Sequence, residues 1–197
     1  MTFEGVDGCG KSTQAELLAE TLLADGRTVV LTREPGGTPL GEEIRELLLH
    51  GEDVSPWAEA ALFAAARAEL VARVVRPALE RGAAVVCDRY LDSSLAYQGI
   101  ARGLGLEGVL ELNAAALQGV LPDRTFLLLV DPDEALARRG AAGDRIERGG
   151  DEFLRRVDAA YRQLAERFPQ RIVALDGSLA AEEVAQRVRE ALESVPA

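Results

Sequence analysis

The sequence predicts an α/β domain built on a five-stranded parallel sheet with helices on both faces. Five short apolar runs alternate along the chain with longer stretches of helical periodicity. Parallel strands need crossover connections, and these connections are usually helices. The 197 residues suffice for one sizeable core, and no internal repeat or low-complexity linker divides them. We therefore expect residues 1–197 to form a single domain.

The strands are predicted from continuous apolar runs, which are typical of parallel strands covered on both faces. They comprise residues 1–4, 28–32, 83–87, 125–130 and 172–175. The helices are predicted from apolar residues at helical spacing and from start signals such as Pro56. They comprise residues 12–24, 41–50, 56–81, 107–118, 133–139, 151–167 and 181–194. A loop rich in glycine and proline, residues 34–39, follows the second strand.

Composition excludes several classes of protein. Hydrophobic residues make up 48% of the chain, yet no apolar run is long enough to cross a membrane, and we expect a cytoplasmic protein. The formal net charge of −11 argues against a nucleic-acid partner, because such proteins carry a basic face. The two cysteines, Cys9 and Cys87, are too few for a disulfide framework and fit a reducing compartment.

The first strand leads directly into a phosphate-binding loop. The chain reads G-V-D-G-C-G-K-S-T here, and a helix is predicted to follow, which is the context that a P-loop requires. Glycines let successive N–H groups point at an anion, and the helix N-terminus adds partial positive charge. The predicted nucleotide-binding residues are Gly5, Val6, Asp7, Gly8, Cys9, Gly10, Lys11, Ser12 and Thr13.

Lys11 is the only lysine among the 22 basic residues of the chain. A compact ammonium on a thin stem can follow the β- and γ-phosphates, whereas a planar guanidinium is poorly shaped for this task. The hydroxyl of Ser12 is predicted to hold Mg²⁺, with Asp88 at the end of the third strand as the matching acid. The fold class is therefore that of a P-loop NTPase.

A second group of residues suggests a phosphorylated acceptor. Arg33 and Arg89 directly follow strands, while Arg45 and Arg67 lie on the next helices, around the edge where ligands bind in open α/β sheets. Four arginines around one crevice favour a second phosphate-bearing substrate. A regulatory GTPase is disfavoured, because the only asparagine, Asn113, lacks the context of a guanine-reading motif.

Five motifs, in order along nearly the whole chain, resemble the bacterial thymidylate kinases, which transfer phosphate from ATP to dTMP. The first is the P-loop with its acidic Asp7. The others read T-R-E-P-G-G-T-P-L-G-E-E-I-R (32–45), L-F-A-A-A-R (62–67), C-D-R-Y-L-D-S-S-L-A-Y-Q-G (87–99) and D-R-I-E (144–147). The resemblance implies a single kinase domain with a mobile lid at about residues 138–150 and a homodimer.

The resemblance also assigns roles in dTMP binding. It implies that Phe63 stacks on the thymine ring, that Arg67, Ser94 and Gln98 read its edge, and that Tyr97 crowds the sugar 2′ position. It places Arg45 and Arg89 on the dTMP phosphate, and Asp7 near the reaction centre.

The resemblance implies a catalytic arginine either in the P-loop or in the lid, and because positions 7 to 9 read Asp-Gly-Cys, the chain resembles the lid-arginine type. Arg145 is the first choice through its motif, with Arg138 and Arg139 behind it. Lys11 and Asp7 complete the predicted catalytic set.

Two alternatives remain open from the residues. One is another nucleoside monophosphate or deoxynucleoside kinase of the same fold, because fold alone does not fix the acceptor. The other is a nucleotide-binding protein without turnover, against which the intact Lys11, Ser12 and Asp88 argue. The apolar faces of the helices predicted at 56–81 and 107–118 could form a dimer interface or could equally be core.

Overall fold

The computed structural model describes residues 1–139, 145–146 and 150–193. The five predicted strands are all present, each within one residue of its predicted ends. They are β1 (Thr2–Glu4), β2 (Val29–Arg33), β3 (Ala84–Asp88), β4 (Thr125–Leu129) and β5 (Ile172–Asp176). The remaining predicted lid residues, 140–144 and 147–149, lie outside the described residues.

The strands form one parallel sheet in the order β2-β3-β1-β4-β5. β1 lies at the centre because the chain first extends the sheet on one side and later on the other. Ligands bind at the carboxyl ends of the strands at such a reversal. The loop after β1 is therefore placed where a ligand is expected, between the residues that follow β3 and those that follow β4.

The helices follow the predicted pattern, with differences at their ends. They are α1 (Lys11–Ala24), α2 (Pro39–His50), α3 (Pro56–Leu70), α4 (Arg76–Glu80), α5 (Leu91–Ser94), α6 (Leu106–Leu117), α7 (Pro132–Arg139), α8 (Gly150–Arg167) and α9 (Ala181–Glu193). A π-helical segment, Val71–Val75, joins α3 to α4, so the predicted 56–81 helix is one continuous rod.

The helix prediction differs most from the structure in two places. α2 begins two residues before the predicted position 41, because Thr38 caps it by accepting from Gly41 N at 3.0 Å and Pro39 suits a first helical turn. Residues 91–101 are helical although the sequence predicted no helix there, and α5 continues into a π-helical segment, Leu95–Ala101.

Helices cover both faces of the sheet, as predicted. On one face, Leu18 and Leu22 of α1 and Val188 of α9 pack on Phe3 and Phe126 of the strands. The opposite face carries a larger core to which the continuous rod, α6 and α8 contribute. Among the described helices, none has the length and apolarity needed to cross a membrane.

Candidate active site

The loop after β1 has the backbone of an anion-binding cradle. Gly5, Gly8 and Gly10 all have positive φ, at 139°, 85° and 94°. A Cβ on Gly5 would approach the carbonyl oxygen of Leu128 to 2.5 Å, so only glycine fits against β4. α1 begins directly after Gly10, which leaves its first N–H groups available to a phosphate.

Lys11 is folded back over this loop. Its Nζ donates to the carbonyl oxygen of Val6 at 2.9 Å and lies 3.6 Å from Asp7 Oδ1. The side chain is only 6% exposed, so the loop holds the ammonium within the cradle. A phosphate on the loop would offer this ammonium a stronger, charged acceptor than a carbonyl oxygen.

The predicted cation ligands are adjacent. Ser12 Oγ donates to Asp88 Oδ2 at 2.5 Å, and Asp88 Oδ1 is buried without a hydrogen-bond partner among the described residues. A hydroxyl and a carboxylate with a spare oxygen suit Mg²⁺, which binds through few protein oxygens and completes its shell with water and phosphates. Three-residue clusters of metal-binding side chains do not occur within the described ranges, and this type of site does not need one.

Arg89 lies at the junction between the P-loop and a second cleft. It has a positive φ of 67°, which is uncommon outside glycine. Its guanidinium donates to Asp7 Oδ1 at 2.6 Å, Ser93 Oγ at 3.0 Å and Tyr161 Oη at 3.1 Å. Burial lowers the pKa of Arg89, but Asp7 first, and then Tyr97, Tyr161 and Glu4, raise it well above its ordinary value. The side chain is therefore a fixed cation.

A buried acid, Glu4, contacts two of the side chains that surround Arg89. Glu4, at the end of β1, accepts from Tyr90 N at 2.8 Å, Ser93 Oγ at 2.6 Å and Tyr161 Oη at 2.8 Å. Burial, and then the charge of Asp92, raise the pKa of Glu4. The sequence analysis did not identify this residue, because a lone acid in a short strand carries no motif signal of its own.

The second cleft collects most of the predicted dTMP-binding side chains. The predicted site residues that line it are Asp7, Arg45, Phe63, Arg89, Tyr97 and Gln98. Arg45 Nη1 donates to the carbonyl oxygen of Pro35 at 2.9 Å, while Ser93 lines the cleft where Ser94 was expected.

Arg67 and Ser94 lie beneath the cleft in a buried network. Arg67 donates to Glu34 Oε2 at 2.9 and 2.6 Å, to Ser94 Oγ at 3.1 Å and to Tyr90 O at 2.9 Å. It also makes a short hydrogen bond to Asn113 Oδ1. These contacts use all five N–H groups of the guanidinium, so in this arrangement Arg67 supports the wall of the cleft.

Glu34 is the acid of that network and lines the cleft. Burial raises its pKa from 4.5 to about 7, although the charge of Arg67 acts in the opposite direction. Its Oε1 is buried and has no hydrogen-bond partner in the described part of the chain. Glu34 belongs to the T-R-E-P-G-G motif, which is the sequence signal that could have identified it.

The predicted lid arginines lie elsewhere. Arg145 is buried, and it donates to Leu48 O at 2.8 Å and to Glu59 Oε2 at 3.0 Å. Arg138 donates to Gly177 O at 2.8 Å and to Glu134 Oε1 at 2.6 Å. Neither lines the cleft around the P-loop. The side chain of Arg139 lies outside what the structure describes.

Comparison with known proteins agrees with this geometry. The family model described as "Thymidylate kinase" matches residues 3–188. The thymidylate kinase of Pelotomaculum thermopropionicum is 51% identical over 201 residues, covering 99% of this chain and 93% of the relative. That of Leifsonia xyli subsp. xyli is 55% identical over 193 residues, covering 96% and 91%.

A solved structure shares the whole fold. The crystal structure of thymidylate kinase from Ehrlichia chaffeensis superimposes with a TM-score of 0.82 at 34% identity, covering 98% of this chain and 96% of that one. With the P-loop, the arginine-lined second cleft and relatives matching over nearly their full lengths, the chain belongs to the thymidylate kinase family.

Proposed function

We propose that this protein transfers the γ-phosphoryl group of ATP to dTMP, giving dTDP, with Mg²⁺ bound at Ser12 and Asp88. One observation carries the proposal: the cleft around the P-loop and the cleft beside Phe63 share Asp7, Glu34, Arg45 and Arg89 as lining residues. A phosphate donor on the loop therefore faces an acceptor in the second cleft. Membership of the thymidylate kinase family identifies that acceptor as dTMP.

The donor is held by the P-loop. The N–H groups of Gly5 to Thr13 bind the phosphates, and Lys11 exchanges the carbonyl oxygen of Val6 for phosphate oxygens. Mg²⁺, when bound, neutralises charge on the β- and γ-phosphates. The spare oxygen of Asp88 and the hydroxyl of Ser12 orient that ion beside the loop.

The acceptor phosphate is held by Arg45 and Arg89, which lie on the boundary between the clefts. Asp7 forms ion pairs with both Lys11 and Arg89. Its carboxylate therefore lies between the ammonium that binds the donor and the guanidinium that binds the acceptor. Phosphoryl transfer needs positioning and charge stabilisation more than a strong base. The fixed charges supply this stabilisation with little reorganisation.

The base occupies the far end of the second cleft. The ring of Phe63 offers a flat face for stacking on thymine, with Gln98 at its edge and Tyr97 beside the sugar. Arg67 holds the wall behind it through its hydrogen bonds to Glu34, Ser94 and Asn113. The catalytic roles of Arg145 and Arg138 and the mobile lid remain predictions, as does the homodimer.

The test is ADP formation from ATP and Mg²⁺ with a panel of acceptors: dTMP, dUMP, UMP, CMP, AMP, GMP and thymidine. We expect the highest kcat/KM for dTMP and little ADP without an acceptor. A preference for another monophosphate would leave the phosphate loop in place and overturn the base site. ATP binding without turnover on any acceptor would instead support the catalytically silent alternative.

A further inference from the structure

Glu59, in the first turn of α3, is the hub of a buried hydrogen-bond network. Its side chain is 1% exposed, although a lone acid is rarely buried so completely. It accepts from Gln98 Nε2 at 2.9 Å, from Arg102 at 2.6 and 3.1 Å, and from Arg145 Nη2 at 3.0 Å. The two arginines compensate the negative charge of the buried carboxylate. They donate three of its hydrogen bonds, and the amide of Gln98 donates the fourth.

This contact fixes which end of the Gln98 amide faces Glu59. A carboxylate only accepts hydrogen bonds, so the NH₂ end of the amide must turn towards it. The carbonyl oxygen Oε1 is at the opposite end of the planar amide, away from Glu59. Gln98 also lines the cleft together with Phe63 and Tyr97, and among the described residues its side chain donates to Glu59. The cleft therefore meets an acceptor at this position.

An acceptor at this edge discriminates between pyrimidines. Thymine and uracil carry a donor, N3–H, on the edge opposite the sugar, whereas cytosine carries an unprotonated N3. An Oε1 facing cytosine N3 would pair two acceptors, and leaving polar groups unmatched in a dry site is a strong basis for rejection. The direction of one amide thus decides between the two classes of base.

We propose that Glu59 is a positioning residue that sets this preference, by holding Gln98 with its carbonyl oxygen towards the acceptor base. Arg102 and Arg145 act with it by holding the carboxylate in place through their hydrogen bonds. This role in holding Glu59 explains why Arg145 is buried beside α2 and α3. The inference rests on the proposed function for the identity of the acceptor.

The experiment compares kcat/KM for dTMP and dCMP in the wild type, Glu59→Gln and Glu59→Asp. Glu59→Gln offers the Gln98 amide both a donor and an acceptor, so the amide can reverse; we expect the dTMP to dCMP ratio to fall at least about tenfold. Glu59→Asp keeps an acceptor-only group and should retain the ratio even if both rates fall. The matched control is Glu107→Gln, an exposed acid paired with Arg167, which should leave the ratio unchanged.

A proportional loss of both activities in Glu59→Gln, with the ratio unchanged, would overturn the proposal and leave Glu59 a structural residue. If that variant fails to fold, Glu59→Gln with Arg102→Gln removes the guanidinium left without its charged partner, and the same ratio decides. The wild-type rate on dTMP tests the proposed function separately. If that rate is absent, calorimetric binding of dTMP and dCMP to the same variants decides the role of Glu59.

Discussion

At the scale of single residues, the position of Lys11 explains why a chain that uses arginine everywhere else keeps one lysine. Its Nζ lies 2.9 Å from the carbonyl oxygen of Val6 in a cradle closed by glycine backbone. A guanidinium is wider, planar and more weakly hydrated than an ammonium. Charge alone is therefore not enough at this position.

We predict that Lys11→Arg lowers kcat by at least about 100-fold, because the bulkier fork displaces the phosphates from the loop. Steady-state kinetics with saturating dTMP and Mg²⁺ would measure it. The matched control is Arg27→Lys, the reverse exchange at an exposed position, which should leave kcat unchanged. Full activity in Lys11→Arg would mean that any cation serves.

Glu34 makes stability depend on pH. Its pKa rises from 4.5 to about 7 on folding, so the folded protein holds this proton more tightly than the unfolded chain. Its contribution to the free energy of unfolding is then complete below about pH 4.5 and is lost as the pH rises through about 7.

The variant Glu34→Gln should remove this loss of stability at higher pH, because glutamine does not ionise. Relative to the variant, the wild type should become less stable by about 3 kcal/mol between pH 4.5 and pH 8, as the size of the pKa shift implies. Urea unfolding at several pH values would measure the difference. Glu20→Gln, an exposed acid, controls for net charge. A constant difference across this range would show that Glu34 titrates normally.

At the scale of elements, α2 connects a local cap to the acceptor site. Thr38 accepts from Gly41 N at 3.0 Å and so fixes the start of the helix that carries Arg45. A cap of this kind contributes about 1 kcal/mol. The start of α2 therefore helps to position Arg45, for which we propose a role in binding the acceptor phosphate.

Replacing Thr38 with alanine should lower the free energy of unfolding by about 1 kcal/mol, since the Gly41 N–H loses its acceptor. The KM for dTMP should rise modestly because α2 frays next to Arg45. Chemical denaturation and steady-state kinetics would measure these effects, and Thr38→Ser, which keeps the hydroxyl, should restore both. Equal stability of the alanine and serine variants would contradict the role of the cap.

The strands and helices also show which parts of the fold could be predicted from the sequence and which could not. All five strands were predicted, because buried parallel strands are continuous apolar runs that stand out locally. The helix at residues 91–101 was missed, because its buried face includes Asp92, Ser94 and Gln98, which hide the apolar periodicity. These polar residues are buried because tertiary partners satisfy them.

At the scale of the whole molecule, the candidate site could also be predicted only where its residues are neighbours in the sequence. The P-loop residues are consecutive, so the sequence places them together. Glu4, Glu34 and Glu59 become partners of Tyr161, Arg67 and Arg145 only when distant parts of the chain pack. No local pattern encodes such pairs, and Arg145, expected at the phosphates, lies instead against Glu59.

The four residues that line both clefts constrain how this protein can change over evolution. Asp7, Glu34, Arg45 and Arg89 line both clefts, so under the proposed function a substitution there is expected to disturb both substrates at once. Phe63, Tyr97 and Gln98 line only the second cleft. A lineage that acquires a new acceptor while it still uses ATP is therefore expected to vary first at this far wall, and the boundary between the clefts should be the last part to diverge.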